Sequence, residues 1–228
     1  FFIPEAPAKR LMKAMGNSVS GNFYGLVVGA DMVEGFISVE YIDSGYIKED
    51  DAKTWDADEL LSNLKSGTEQ ANKERHKQGI GEIEVVGWVE KPAYEQPTHR
   101  LIWSVSSKEK GTPTPSNLGI NYNTYILGRG GFFSLNLVTS TGVIEKEKPL
   151  AKTILAATSF NEGKRYEDFN ESTDRIAEYG LTALIAGVAA KKLGLLATLG
   201  VFFLKGWKLL LLGGVAVGAI AKKFFKRN

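Results

Sequence analysis

INYNTYILGRGGFFSLNLVTS, residues 120–140, decides the fold. Ile120–Leu127 and Phe132–Ser140 read as strands, and Gly128-Arg129-Gly130-Gly131 between them is a glycine-dense tight connection, which predicts a β-hairpin. Upstream, Thr98–Ser107 puts Leu101, Trp103 and Val105 on one face and Arg100, Ser104 and Ser106 on the other. The polar, proline-rich Lys108–Asn117 is a loop. Glu82–Glu90 alternates Ile83, Val85 and Val89 with Glu82 and Glu84, so a further strand precedes it. Downstream, Glu145–Thr158 has a helical apolar side of Leu150, Ile154 and Leu155, with Pro149 in its first turns, where a proline costs least.

Nearer the start, Pro7–Met15 has helical spacing and Gly16 as a stop. Gly25–Ala30 and Gly35–Asp43 read as strands, the second alternating Ile37, Val39 and Tyr41 with Ser38 and Glu40. Asp56 opens a long helix to about Gln78, with Asp58 and Glu59 in the first turn, where the helix dipole favours acids, and Gly79 closing it. Helix, two strands, helix, four strands, helix is the order of an α+β domain: a mainly antiparallel sheet of about six strands with covering helices. Asn161–Glu171 is polar and is expected to be a hinge; Ser172, Thr173 and Asp174 then offer N-cap chemistry to a last helical region. The expected division is a soluble α+β domain over 1–165, then a hinge and a hydrophobic, basic helical membrane anchor over 166–228.

Charge divides the chain at nearly the same place. Leu181–Asn228 contains no Asp or Glu and eight of the 28 Lys and Arg residues; the preceding residues hold all 26 acids. The basic residues gather only where the chain is apolar, so nucleic acid is not an expected partner. The absence of cysteine removes disulfides and thiol chemistry. The first residues, Phe1-Phe2-Ile3-Pro4, carry no initiator Met, and a processed N-terminus is expected.

The apolar runs of the tail are Leu193–Leu204 and Leu209–Ala221. Each covers only about 20 Å as a helix, against a hydrocarbon core of roughly 30 Å. Three arrangements fit. One tilted helix crosses from about Leu193 to Ala221 with Lys205 and Lys208 snorkelling or meeting a partner. Alternatively, Lys205-Gly206-Trp207-Lys208 is an interfacial turn of a helical hairpin. In the third, the tail is a buried helical pair in a soluble assembly. The expected membrane-interface or partner contacts are Lys191, Lys192, Lys205, Trp207, Lys208, Lys222 and Lys223. A cytoplasmic basic C-terminus puts the body outside the cytoplasm for one span and inside it for a hairpin. Gly180, Gly187 and Gly194 recur every seven residues, and Gly214 with Gly218 forms a small-xxx-small pair. Both suit close helix packing or homo-oligomerisation, although glycine is also simply common in membrane helices.

The chemistry of the body is sparse. Asp50-Asp51 and Asp56/Asp58 lack the ligand spacing and central glycine of a calcium loop and read as a solvated helix start. His76 and His99 read as surface residues, since no nucleophile sits in a recognisable motif near either. Gly128–Gly131 has neither the spacing nor the following helix of a phosphate loop. No catalytic residue, cofactor or metal site is expected. Trp88, Trp103, Tyr122, Tyr125, Phe132 and Phe133 lie on adjacent strands and could stack ligands, although strand aromatics are mostly core. Asn121, Asn123, Arg129 and Asn136, polar groups on one hairpin, are the expected contact surface.

Several segments together carry a resemblance: DDAKTWDADELL (50–61), GTEQANKER (67–75), VVGWVEKPAYEQPTHRLIWS (85–104), NYNTYILGRGGFFSLNLVT (121–139) and GKRYEDFNESTDRIAEYG (163–180). They resemble a bacterial family of predicted membrane-anchored proteins known as domain of unknown function 2167. The resemblance implies an exported domain, a C-terminal membrane anchor, and no assigned activity or catalytic residue. The element order is also similar to small α+β domains of the PsbP/Mog1 type, which serve as binding or assembly modules, an analogy of fold alone. Together these readings imply a membrane-anchored extracytoplasmic interaction or assembly module, an accessory subunit of an envelope complex, touching membrane lipids and a protein partner. The alternative is an enzyme, or a small-ligand or lipid binder, with a site near the 121–139 hairpin.

Overall fold

A computed structural model describes residues 1–15, 22–29, 35–77, 79 and 81–186. Seven strands form one antiparallel sheet in the order β1-β2-β3-β7-β6-β5-β4: β1 Phe2–Pro4, β2 Phe23–Val27, β3 Phe36–Ile42, β4 Ile83–Glu95, β5 Arg100–Glu109, β6 Gly119–Gly128 and β7 Gly131–Ser140. The helices are α1 Glu5–Ala14, α2 Ala57–Lys77, α3 Ile144–Ala157 and α4 Leu181–Ala186. The α+β class and the antiparallel sheet agree with the sequence reading. The strand count is one higher, because three-residue β1 pairs with β2 through Phe2↔Val27 and is too short to show a pattern.

The 120–140 hairpin lies at the centre, Gly128 opposite Gly131 and only Arg129 and Gly130 in the loop. On one sheet face, Leu101, Trp103, Val105, Tyr125 and Phe132 pack under α2 and α4, with Leu60, Leu184 and Ile185. Further along this face, Phe36 and Val138 meet Ala8 and Met12 of α1. The opposite face, Ile37, Ile102, Ile120, Tyr122 and Leu137, is covered by α3 through Ile144, Ala151 and Leu155. Because both faces are covered, alternation does not separate core from solvent: Ser38 and Glu40 of β3, on the polar side of its pattern, are buried.

Buried polar side chains join the layers. The Asn72 amide donates to Ile83 O (2.7 Å) and its oxygen accepts from Ile83 N (3.0 Å), zipping α2 to β4. Glu147 of α3 accepts from the Gly35 amide and the Thr139 hydroxyl. Asp56 caps α2, as its position predicts. It accepts from the amides of Asp58 (2.8 Å) and Glu59 (2.8 Å). β4 runs beyond the expected end at Glu90, through Pro92, with register shifts between Trp88/Glu90 and Glu90/Ala93. An edge strand with bulges tolerates proline because the missing N–H need not enter the ladder.

Residues 161–171, expected to be a hinge, dock on the body: Tyr166 is buried and its hydroxyl donates to Ile47 O at 2.7 Å. The helical region expected after residues 172–174 begins only at Leu181. Its first amides, Leu181 N (3.1 Å) and Thr182 N (2.9 Å), donate to the carboxylate of distant Asp51. Among the described residues, no helix is long and apolar enough to cross a membrane.

Candidate binding cleft at one end of the sheet

Antiparallel pairing gathers the ends of β3, β4 and β6 and the starts of β5 and β7 at one end of the sheet. The chain returns there after α3 and is stitched in place. Arg129 N donates to Lys164 O (3.0 Å), Gly45 N to Gly130 O (3.0 Å), Tyr46 N to Arg175 O (2.8 Å) and Ala177 N to Tyr46 O (2.8 Å). Two glycines permit this closeness, since neither carries a Cβ. A Cβ at Gly131 would lie 2.0 Å from Ile42 O, and Gly45, at φ +85°, would place one 2.6 Å from Arg175 O.

These segments enclose an open cleft of about 610 Å³. That size is within the range of small-ligand sites. One wall is aromatic: Phe133 lies 5.3 Å from Tyr41, 5.2 Å from Phe160 and 5.8 Å from Tyr24, ring centre to ring centre. Much of the remaining lining is polar, with Asp43, Arg129, Lys164, Thr173, Asp174 and Arg175. Arg129 grips Asp174 through Nε (2.6 Å) and Nη2 (2.9 Å) and donates from Nη1 to Gly163 O. This bidentate pair, with the Asn170 amide, holds the Asp174 carboxyl well below the usual carboxylate range and raises Arg129. Arg175 Nη2 reaches both the carbonyl (2.7 Å) and the carboxylate (2.8 Å) of Asp43. Lys164 is exposed and makes no ion pair among the described residues.

A second constellation lies beside the first. Glu49 Oε2 accepts from the Tyr94 hydroxyl and lies 3.2 Å from His99 Nδ1; its Oε1 accepts from Gln96 Nε2 at 2.9 Å. The His99 ring stacks on Tyr166 at 4.1 Å. Burial alone would raise the Glu49 carboxyl, but hydrogen bonds from Tyr94, Gln96 and His99 outweigh it and hold it below its ordinary value. Burial and Glu49 together push the Tyr94 phenol up, so it remains a donor. His99 has φ 50° and ψ 44°, the sole positive φ outside glycine among the described residues. A left-handed histidine persists only where its surroundings hold it there. A hollow of about 320 Å³, lined by Trp55, Pro92, Tyr94 and Gln96, adjoins this group.

The structure divides the residues expected to form a contact surface. Arg129 lines the cleft, but Asn121, Asn123 and Asn136 are 3 to 5% exposed and cannot contact a partner from the surface of the folded domain. The reason is the covered sheet: Asn123 pairs with Asn136 across β6 and β7 on the face that packs beneath the helices. His99, read as a surface residue, is tied into the Glu49 cluster; His76 is exposed, 3.4 Å from Glu82. Phe133, one of the strand aromatics that could stack a ligand, lines the cleft, whereas Tyr41, Phe160 and Lys164 of the cleft, and Glu49 and Tyr94 of the cluster, do not stand out as contact residues in the sequence. They come from separate segments, and no local motif joins them. Gly180 is described, and its bare Cα faces the Asp51 carboxylate. Gly187, Gly194, Gly214, Gly218, Lys191, Lys192, Lys205, Trp207, Lys208, Lys222 and Lys223 lie outside the described residues.

No curated protein matches the chain. Among solved structures, the solution structure of cyanobacterial PsbP (CyanoP) from Synechocystis sp. PCC 6803 is similar at 11% identity and a TM-score of 0.38, covering 68% of this chain and 78% of that one. The sequence profile of DUF2167, proteins of unknown function, matches residues 1–216, so the chain belongs to that family.

Proposed function

We propose that the protein is an interaction module that docks a partner at the cleft end of its sheet and is tethered to a membrane by its basic, apolar tail. In this reading the sheet domain faces the extracytoplasmic side and serves as an accessory subunit of an envelope complex. The observation that carries it is the cleft: half-buried aromatic rings and an exposed Tyr24 share it with paired charges, on loops stitched by backbone hydrogen bonds and therefore organised before a partner arrives. The acid-free stretch after Leu181 supports the membrane tether, and its glycine spacing supports homo-oligomerisation through the tail.

A photo-crosslinking side chain at Tyr24, on the cleft, and another at Glu109, at the far end of β5, test this in native membranes. A discrete adduct from Tyr24 and none from Glu109 is expected; equal adducts, or none at either position, refute the docking reading. Protease digestion of residues 1–160 only after the cytoplasm is opened refutes the extracytoplasmic placement. A monomer mass in mild detergent refutes oligomerisation.

His99 favours a second reading, an enzyme or a small-ligand or lipid binder near the 121–139 hairpin. Its left-handed backbone presents an imidazole to a carboxylate and a phenol beside a hollow. If a His99→Gly chain keeps the Tyr24 adduct but loses a turnover or ligand found in the native chain, the second reading gains at that cluster.

A further inference from the structure

We infer, resting on that docking reading, that the cleft receives the C-terminal residue of a peptide chain, its free carboxylate at Lys164 and its apolar side chain on the aromatic wall. Charge balance selects a single negative group. The cleft presents three cations, Arg129, Lys164 and Arg175, against two carboxylates, Asp43 and Asp174, and each carboxylate is held by an arginine. Arg129 has Nε, Nη1 and Nη2 all engaged. Lys164 is the cation left to take an incoming charge.

Its position is prepared. Lys164 N donates to Asn161 O (3.0 Å) and Lys164 O accepts from Arg129 N (3.0 Å), so the backbone is held while the side chain makes no bond of its own among the described residues. A lysine is a point donor whose single charge matches one carboxylate. The aromatic wall offers Phe133, Tyr41 and Phe160 to an apolar side chain. The polar lining favours a peptide over a fatty acid: the Asp43 and Asp174 carboxylates can accept from peptide N–H groups, and Arg175, which uses only Nη2 on Asp43, can donate to a peptide C=O, partners that an acyl chain does not offer.

The test uses the full chain in detergent, with the amide signals of Gly45, Gly130 and Gly163 as reporters and far-UV circular dichroism as the fold control. The probes are N-acetyl-glycyl-phenylalanine, its C-terminal carboxamide, and octanoate. The acid should move the cleft amides with a dissociation constant about tenfold or more below that of the carboxamide, as expected for one hydrogen bond to a charged group. A Lys164→Gln chain with an unchanged spectrum should bind acid and carboxamide alike. Three results overturn the inference: acid and carboxamide binding the native chain equally, the preference surviving Lys164→Gln, or neither peptide moving the cleft amides at millimolar concentration. Octanoate binding as well as the peptide overturns the choice of a peptide. If the Tyr24 adduct persists while the carboxylate preference fails, docking stands and only this ligand assignment falls.

Discussion

Glu40 makes folding stability fall as pH rises through neutrality. It lies on β3 beneath the helices, 9% exposed, opposite Ser134, with Oε1 unpartnered among the described residues. Burial pushes its carboxyl from 4.5 up to about 7. Between these two values the folded chain holds a proton that the unfolded chain has released. Stability therefore declines with rising pH across that window, opposite to the usual behaviour of a salt-bridged acid. The span from 4.5 to about 7, at about 1.4 kcal/mol per pH unit, gives a total of about 3 kcal/mol. Glu40→Gln removes the titrating group at nearly constant volume. Urea unfolding of the native and Glu40→Gln chains at half-unit steps from pH 4.5 to 8 reads the difference directly. The two stability curves should separate as pH rises, the variant gaining about 3 kcal/mol relative to the native chain by pH 8. A separation that stays constant across the range, or a Glu40 carboxyl titrating near 4.5 by NMR, refutes the reasoning.

Three other outcomes follow from particular contacts. Asp51→Ala should free the amides of Leu181 and Thr182, cost about 1 kcal/mol as a lost helix cap does, and speed hydrogen exchange at those two positions. Asn72→Ala should cost about 2–4 kcal/mol in urea unfolding, because it strands both the N–H and the C=O of buried Ile83. Arg129→Ala should let the Asp174 carboxyl rise toward its ordinary 3.8, read by NMR titration. The stability that Asp174 contributes is present above 3.8 and lost on acidification below it, so that acid-labile part should be smaller in the variant.

Local chemistry is legible wherever one segment carries its own signal. The 120–140 hairpin shows in its glycine-dense turn, and α2 in Asp56 and its dipole-matched acids, because turns and caps act over a few residues. Burial is less legible. Ser38 and Glu40 form the polar side of the β3 pattern, yet helices lie over both faces of the sheet, and a period-two pattern cannot report what a distant helix covers. The same covering removes Asn121, Asn123 and Asn136 from the surface and leaves Arg129, at the hairpin tip, in the cleft.

By itself the sequence determined the α+β class, the central hairpin, the family and the split between a mixed-charge body and an acid-free tail. Each depends on composition, short-range geometry or long matching strings. Only the tertiary structure decided that Asp51 caps a helix 130 residues away and that Glu49 meets His99. It alone brought Tyr41, Phe133 and Phe160 into one cleft with Lys164. Antiparallel pairing brings these segments to one end of the sheet. The contacts form between groups far apart in sequence, where no spacing rule connects them.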